Sequence, residues 1–198
     1  MERQVLEQIA RLGGETGLPG GTMTEQLMSL RFDHALQKRP EPLPWDSSGL
    51  DIFRPVFEAH PEIEIDGNLD TEALIGHVFG PEELYNQVRY VPRIFAPFTE
   101  GDPMFGELEG LVTEDALRRT FSVPEGPLEF VFVGTSDSFP NYYVVATGDQ
   151  SPGNPSVFQT DHETFFWTDV DRVGSFADYL AGFTTADELR AYLGSQQP

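Results

Sequence analysis

The chain has 198 residues, 39% of them hydrophobic and 16 of them phenylalanine, enough to bury a core and too apolar for a disordered acidic tail. It contains no cysteine, which excludes disulfides, thiolate metal sites and cysteine nucleophiles, and no apolar run approaches the roughly 18 residues that span a bilayer. A net charge of −21, from 33 acidic and 12 basic residues, opposes direct binding to nucleic acid, which rests on neutralising phosphates with Lys and Arg.

The acidity is steepest after residue 120, where residues 120–198 hold 11 acids and 2 bases. Such a field speeds association with a basic partner, and it also keeps a protein soluble; either role accounts for it. The first residues, MERQVLEQIARLGG, put charges where a secretory signal needs an apolar stretch, so a cytoplasmic protein is expected.

Val5, Leu6, Ile9 and Leu12 recur at helical spacing, and Gly13-Gly14 ends that helix. After the turn GLPGG (17–21), Thr22-x-x-Glu25 reads as a capping box. The helix it opens is expected to run through Leu27, Leu30 and Leu36 until Pro40, Pro42 and Pro44 stop it. The aperiodic stretch RPEPLPWDSSG (39–49) reads as a loop around Trp45, and a soft boundary falls between residues 40 and 66. Residues 1–65 are therefore expected as a helical extension with a Pro-rich loop, and residues 66–198 as the main domain. No internal repeat is visible.

Further along, Asp70 is a good N-cap for TEALIGHVF, and Pro81 suits the first position of a helix PEELYNQVR. β-rich runs follow: RIFAPF (93–98), LEFVFVG (128–134), NYYVVATG (141–148) and SVFQTD (156–161). The last three are separated by the turn-forming SDSFP and GDQSPGNP, which predicts an antiparallel meander. Gly174 or Ser175 opens the helix FADYLAGF, and Thr185-x-x-Glu188 caps a final helix expected to end at Gly194. The fold class is thus α+β, a central mixed or antiparallel sheet flanked by N- and C-terminal helices.

Four stretches carry residues capable of chemistry. VGTSDS (133–138) resembles a nucleophile elbow, but Ser138 stands where the turn needs glycine and a β-rich run, not a helix, follows. A hairpin turn rich in Ser and Asp explains it better. Asp161, His162 and Glu163 stand side by side at a strand end, where neighbouring side chains point to opposite faces and cannot form an Asp–His pair. A turn would relax that geometry toward an acid–base or metal site. The better reading is a turn in which Asp161 bonds to backbone and His162 packs beside the aromatics. The other histidines, His34, His60 and His77, read as isolated, so no metal set is expected. Phe165-Phe166-Trp167 lacks the interleaved bases of a base-stacking platform and reads as core and edge packing. Glu107 and Glu109 in MFGELEG have the look of a glycosidase pair, but a short alternating strand accounts for them as well.

Together the order FVFVGTSDSFPNYYVVATG, VFQTDHETFFW and VGSFADYLAGF resembles the SUKH superfamily. Val133-Gly134 match its "I-G" turn, Tyr142 to Val145 its "Y-x-h-x" strand, and Val157 to His162 its "V-x-x-x-D-H" strand. Val173, Ser175, Phe176, Tyr179 and Leu180 match its "h-x-x-S-F-x-x-F/Y-L" helix. The match covers residues 127–183 and extends back to about residue 70. It has no counterpart for the family's N-terminal "L-P" helix in residues 1–65, and residues 135–139 lack the glycines common after the "I-G" turn.

The resemblance implies an α+β fold with no catalytic activity and no cofactor. It implies a bacterial immunity protein that binds and occludes a toxin domain delivered between cells, or alternatively a regulatory or scaffold interaction module. It makes Gly134, Asp161, His162, Ser175, Phe176 and Leu180 marks of the fold. The expected partner is a cognate toxin that is basic at its contact surface, with neither nucleic acid nor membrane as a partner. Charge and loop position nominate Asp137, Asp149, Glu163, Asp169 and Asp171 as its contacts. A hydrolase would instead need Asp161, His162 and one of Ser136 or Ser138 to converge.

Overall fold

The computed structural model describes residues 1–41, 49–65, 68–80, 87–168 and 170–196. In chain order, the first half holds α1 (Arg3–Arg11), α2 (Met23–Ser29), β1 (Leu36–Lys38), α3 (Arg54–Ala59), β2 (Glu64–Ile65), β3 (Asn68–Leu69) and α4 (Thr71–Val78). Short 3-10 turns, Leu50–Phe53 and Pro61–Ile63, flank α3. Next come β4 (Gln87–Val88), β5 (Arg93–Phe95), α5 (Glu114–Phe121), β6 (Phe130–Thr135), β7 (Tyr142–Ala146) and β8 (Ser156–Thr160). The chain closes with β9 (Asp171–Ser175), α6 (Phe176–Ala181), β10 (Phe183–Thr184) and α7 (Ala186–Gln196). None of the described helices is long and apolar enough to cross a membrane.

Strands β5 to β9 pair antiparallel in chain order as a five-stranded meander, so the fold is α+β as the turn-separated runs predict. In β6 the two-residue period sends Val131 and Val133 to one face and Phe130 and Phe132 to the other. All four are buried, because both faces of the sheet are covered; that is why LEFVFVG reads as a nearly continuous apolar run. On the valine face lie α1, α2 and α6, bringing Val5, Ile9, Leu27, Leu30, Phe176 and Leu180. On the phenylalanine face, Leu117 and Phe121 of α5 meet Phe95, Leu108 and Phe166 from strand and turn segments.

A second sheet has the order β10-β1-β4, with Leu36 opposite Val88 and Lys38 opposite Phe183. A third core joins α3, α4 and α7 through Val56, Leu74, Ile75, Val78, Leu189 and Leu193. Residues before 65 therefore supply α1, α2 and β1 to cores and pairings shared with residues after 66. Arg11, at the end of α1, donates to Glu188 Oε2 at 2.6 Å and to the carbonyls of Leu180 and Phe183 at 3.0 and 3.1 Å, bracing the first helix against the last two.

Several helix starts follow the expected caps. Thr22 and Glu25 form the capping box of α2, Asp70 Oδ1 accepts the Ala73 N–H, and Thr185 and Glu188 bond each other reciprocally. Other expectations are corrected. Helix α2 stops at Ser29, and Leu36 lies in β1, because the backbone turns extended at Leu30. MFGELEG is a run of turns rather than a strand, with Gly106 and Gly110 at φ 83 and 77, values that break any extended run. Helix α7 continues past Gly194 to Gln196. The loop around Trp45 (42–48) and residues 81–86 of the expected helix PEELYNQVR lie outside the described residues, while Gln87-Val88 are strand.

Candidate functional site

The β6–β7 and β8–β9 connections emerge at the same end of the meander, and Asn141 clamps them together. Its Nδ2 donates to the Ser136 carbonyl at 3.1 Å. Its Oδ1 accepts from the His162 backbone N–H at 3.3 Å and from His162 Nδ1 at 2.6 Å. Within the second loop, Asp161 Oδ1 accepts the Glu163 N–H at 2.6 Å, a local turn of the kind Asp favours. The expectation that Asp161 bonds to backbone is met. The expectation that His162 packs beside the aromatics is not: its side chain is exposed and engaged by Asn141, with Asp161 Oδ1 3.5 Å from Nδ1.

The same loop turns the aromatic run inside out. Phe166 has φ 57, and its N–H donates to Thr160 Oγ1 at 3.1 Å. That left-handed residue drives its ring into the phenylalanine face, 4.8 Å from Phe130, and throws the next residue outward. Trp167 is 60% exposed, and Phe139 on the β6–β7 loop is 62% exposed. Of the expected core and edge packing, Phe166 takes the core, Phe165 packs partly buried against it, and Trp167 is largely exposed. Asp137, Glu163 and Asp171 lie on the connections at this same end of the sheet, the last opposite Gln159 at the start of β9. Asp137 Oδ2 lies 3.6 Å from Arg89 Nη2, whose backbone pairs with Thr135.

Asp149 belongs elsewhere. It sits in the β7–β8 connection at the opposite end of the sheet, where Oδ1 accepts the Ser151 N–H at 2.7 Å and Oδ2 the Ser156 N–H at 3.0 Å. Its carboxylate holds its own loop and lines a cleft of about 760 Å³ together with Arg118, Arg119 and Arg172. Within that cleft Arg118 is tied down by Glu114 and by the Gly126 carbonyl at 2.7 Å. Asp169 lies outside the described residues.

Gly134, Ser175, Phe176 and Leu180 each have a packing or capping role in this structure. Gly134 sits at a register shift between β6 and β7, where an added Cβ would collide with the Tyr179 hydroxyl and come within 2.7 Å of Val88 Cγ1. The room so left lets Tyr179 donate to the Val133 carbonyl at 3.1 Å. Burial pushes the Tyr179 hydroxyl, and that of Tyr143 to about 12, above the ordinary value, so both stay neutral and Tyr179 keeps the proton it donates. Ser175 caps α6 in a reciprocal pair with Asp178, which places Phe176 and Leu180, both fully buried, on the valine face.

Ser136, Ser138 and His162 stand on the clamped loops, yet Ser136 Oγ and Ser138 Oγ face each other at 3.0 Å and Ser138 is 5% exposed. Among the described residues no hydrogen bond joins His162 to either serine. Glu107 and Glu109 lie in the turns beside Leu108, which is buried in the phenylalanine core. The histidines are not all isolated: His60 and His77 stack with ring centroids 3.8 Å apart, beside Glu62. Packing of α3 on α4 brings them together, and no local spacing signals it. No family model matches the chain, and no curated protein or solved structure matches it significantly.

Proposed function

We propose that this chain is a non-catalytic binding protein, an immunity protein that neutralises a cognate bacterial toxin domain by occluding it in the cytoplasm. One observation carries the reading: two exposed aromatics, Phe139 and Trp167, stand with Asp137, Glu163 and Asp171 at one end of a sheet buried on both faces. Exposed aromatics on a preorganised scaffold supply the anchors of an interface, and carboxylates around them steer a basic partner and set its orientation. The net charge of −21 extends that attraction beyond the contact itself. The order of fold-marking residues from Gly134 to Leu180, and their similarity to the SUKH pattern, supports the same reading.

The test is capture of partners from bacterial lysate on the purified chain, followed by expression of each captured protein with and without it. The reading requires one stoichiometric partner that is lethal alone and tolerated in the chain's presence. Trp167→Ala and Phe139→Ala should each weaken that complex about 10- to 100-fold, the range of an interface anchor. Asp137→Lys with Glu163→Lys should slow association at low salt and leave dissociation nearly unchanged. Several weak host partners, none of them toxic, would replace this reading with a regulatory or scaffold module.

A further inference from the structure

The third core sets three donor side chains around one point on the surface. Val56, Ile63, Leu74 and Val78 are buried in it and fix the end of α3, the Pro61–Ile63 turn and the last turn of α4 against one another. His60 is the C-cap of α3, Glu62 lies in the turn, and His77 is in the last turn of α4. His60 and His77 are half-buried and Glu62 is exposed. The imidazole planes are 29° apart, His60 Nδ1 is 3.4 Å from Glu62 Oε1, and one donor atom of each residue lies within 4.8 Å of the other two.

Two ligand atoms on one tetrahedral zinc ion, with bonds of about 2.0–2.2 Å, sit about 3.4 Å apart. The His60–Glu62 separation already has that value, and a donor atom of His77 stands within 4.8 Å of its counterparts on the other two. We propose that His60, Glu62 and His77 form a three-ligand site for a divalent transition-metal ion, with Zn²⁺ the best chemical match. Two imidazoles and one carboxylate suit Zn²⁺, Ni²⁺ or Cu²⁺, whereas Mg²⁺ and Ca²⁺ prefer sets made wholly of oxygen. A bound ion draws the two ring nitrogens together, opens the stack and joins the ends of two helices. The exposed side of Glu62 leaves a fourth position to water. The site is separate from the aromatic loop end, so it stands or falls independently of the proposed partner.

The experiment is calorimetric titration of the full chain with ZnCl₂ in millimolar Mg²⁺, which occupies the many surface carboxylates and leaves imidazole sites open. One saturable site is expected. His60→Ala and His77→Ala should each weaken it at least 10-fold, and Glu62→Gln should weaken it measurably, while His34→Ala and His162→Ala leave it unchanged. At a 100-fold excess over Kd, Zn²⁺ should raise Tm by about 5–10 °C in the parent and not in His77→Ala. Circular dichroism checks folding; should a histidine variant not fold, the exposed Glu62→Gln still decides. Absence of a saturable site, or equal affinity in Glu62→Gln and the parent, overturns the assignment.

Discussion

The two faces of the five-stranded sheet meet the same demand for burial with different materials. Three helices lay a mainly aliphatic layer, with Phe176 and Tyr179 of α6 among it, on Val131, Val133, Val145 and Val157. Among the described residues the opposite face is covered by α5 and two turn-rich segments, and phenylalanine rings from strands, helix and loop fill the layer between. Phe95, Phe121, Phe130, Phe158 and Phe166 form a connected set of ring pairs with centroids 4.4 to 6.3 Å apart. A helix presents a continuous apolar stripe, so medium-sized side chains suffice. Turns present no stripe, and a few large rings each cover more area instead. Where regular backbone is scarce, side-chain size replaces it.

This contrast can be broken by substitution. The largest effect is expected on the aromatic face: Phe130→Ala should cost about 3–5 kcal/mol by urea denaturation, because Phe95 of β5, Phe121 of α5 and Phe166 of the β8–β9 loop all pack against its ring and would be left around the void. A loss under about 1 kcal/mol would mean that the rings are loosely assembled. On the valine face, Gly134→Ala should cost about 1–3 kcal/mol through the collision with Tyr179 and Val88. The collision also predicts coupling. Tyr179→Phe removes the hydroxyl, so the double variant should be more stable than the sum of the single losses, and strict additivity would refute the proposed contact.

Smaller still is the cap of α6. Ser175→Ala should cost about 1 kcal/mol, visible as a lowered Tm, because the Asp178 N–H loses its acceptor. The smallest effect depends on pH. Hydrogen bonds from the Ser175 side chain and backbone hold the Asp178 carboxyl below its ordinary value. For Glu188, burial pushes upward but is outweighed by the Thr185 N–H and by Arg11, so it too ends low. A folded-state value below the unfolded one gives stability that is present above the ordinary carboxylate range and lost as pH falls through the depressed value. Urea midpoints should therefore drop on acidification below about pH 4, and Asp178→Asn should drop less over the same interval. A parallel drop in both proteins would assign the acid sensitivity elsewhere.

The helical side was more legible in the sequence than the aromatic side, and the reason is locality. Val5, Ile9 and the capping boxes at Thr22, Ser175 and Thr185 are signals contained within a turn or two of chain. Helix α5 carries the same kind of local signal: Thr113 caps it, Glu114 and Asp115 open it, Arg118 and Arg119 close it, and Leu117 and Phe121 are spaced for one face. Strands β1, β4 and β10 have only two or three residues each, too few to show a period. In the candidate site, the acidic loop positions were readable from charge. The outward turn at Trp167 was not, because it depends on one left-handed residue at Phe166. The His60–His77 pair was hidden for a third reason, since it arises from packing between elements.

The placement of β1 in the middle of its sheet also has a consequence for synthesis of the chain. Lys38 pairs with Phe183, so on the ribosome β1 waits for roughly 145 more residues, about 7–30 s at 5–20 residues per second. During that interval its backbone edge has no β10 to meet, and open edges invite pairing with other nascent chains. The residues at that edge are Gln37, Lys38 and Arg39, polar and partly cationic in a chain of the opposite charge. Charged side chains on an open edge, lysine above all, disfavour such pairing; once the sheet closes, burial pushes the Lys38 ammonium down from its ordinary value. The chain's only lysine thus lies on the strand whose partner is made about 145 residues later, and the closed sheet partly encloses it.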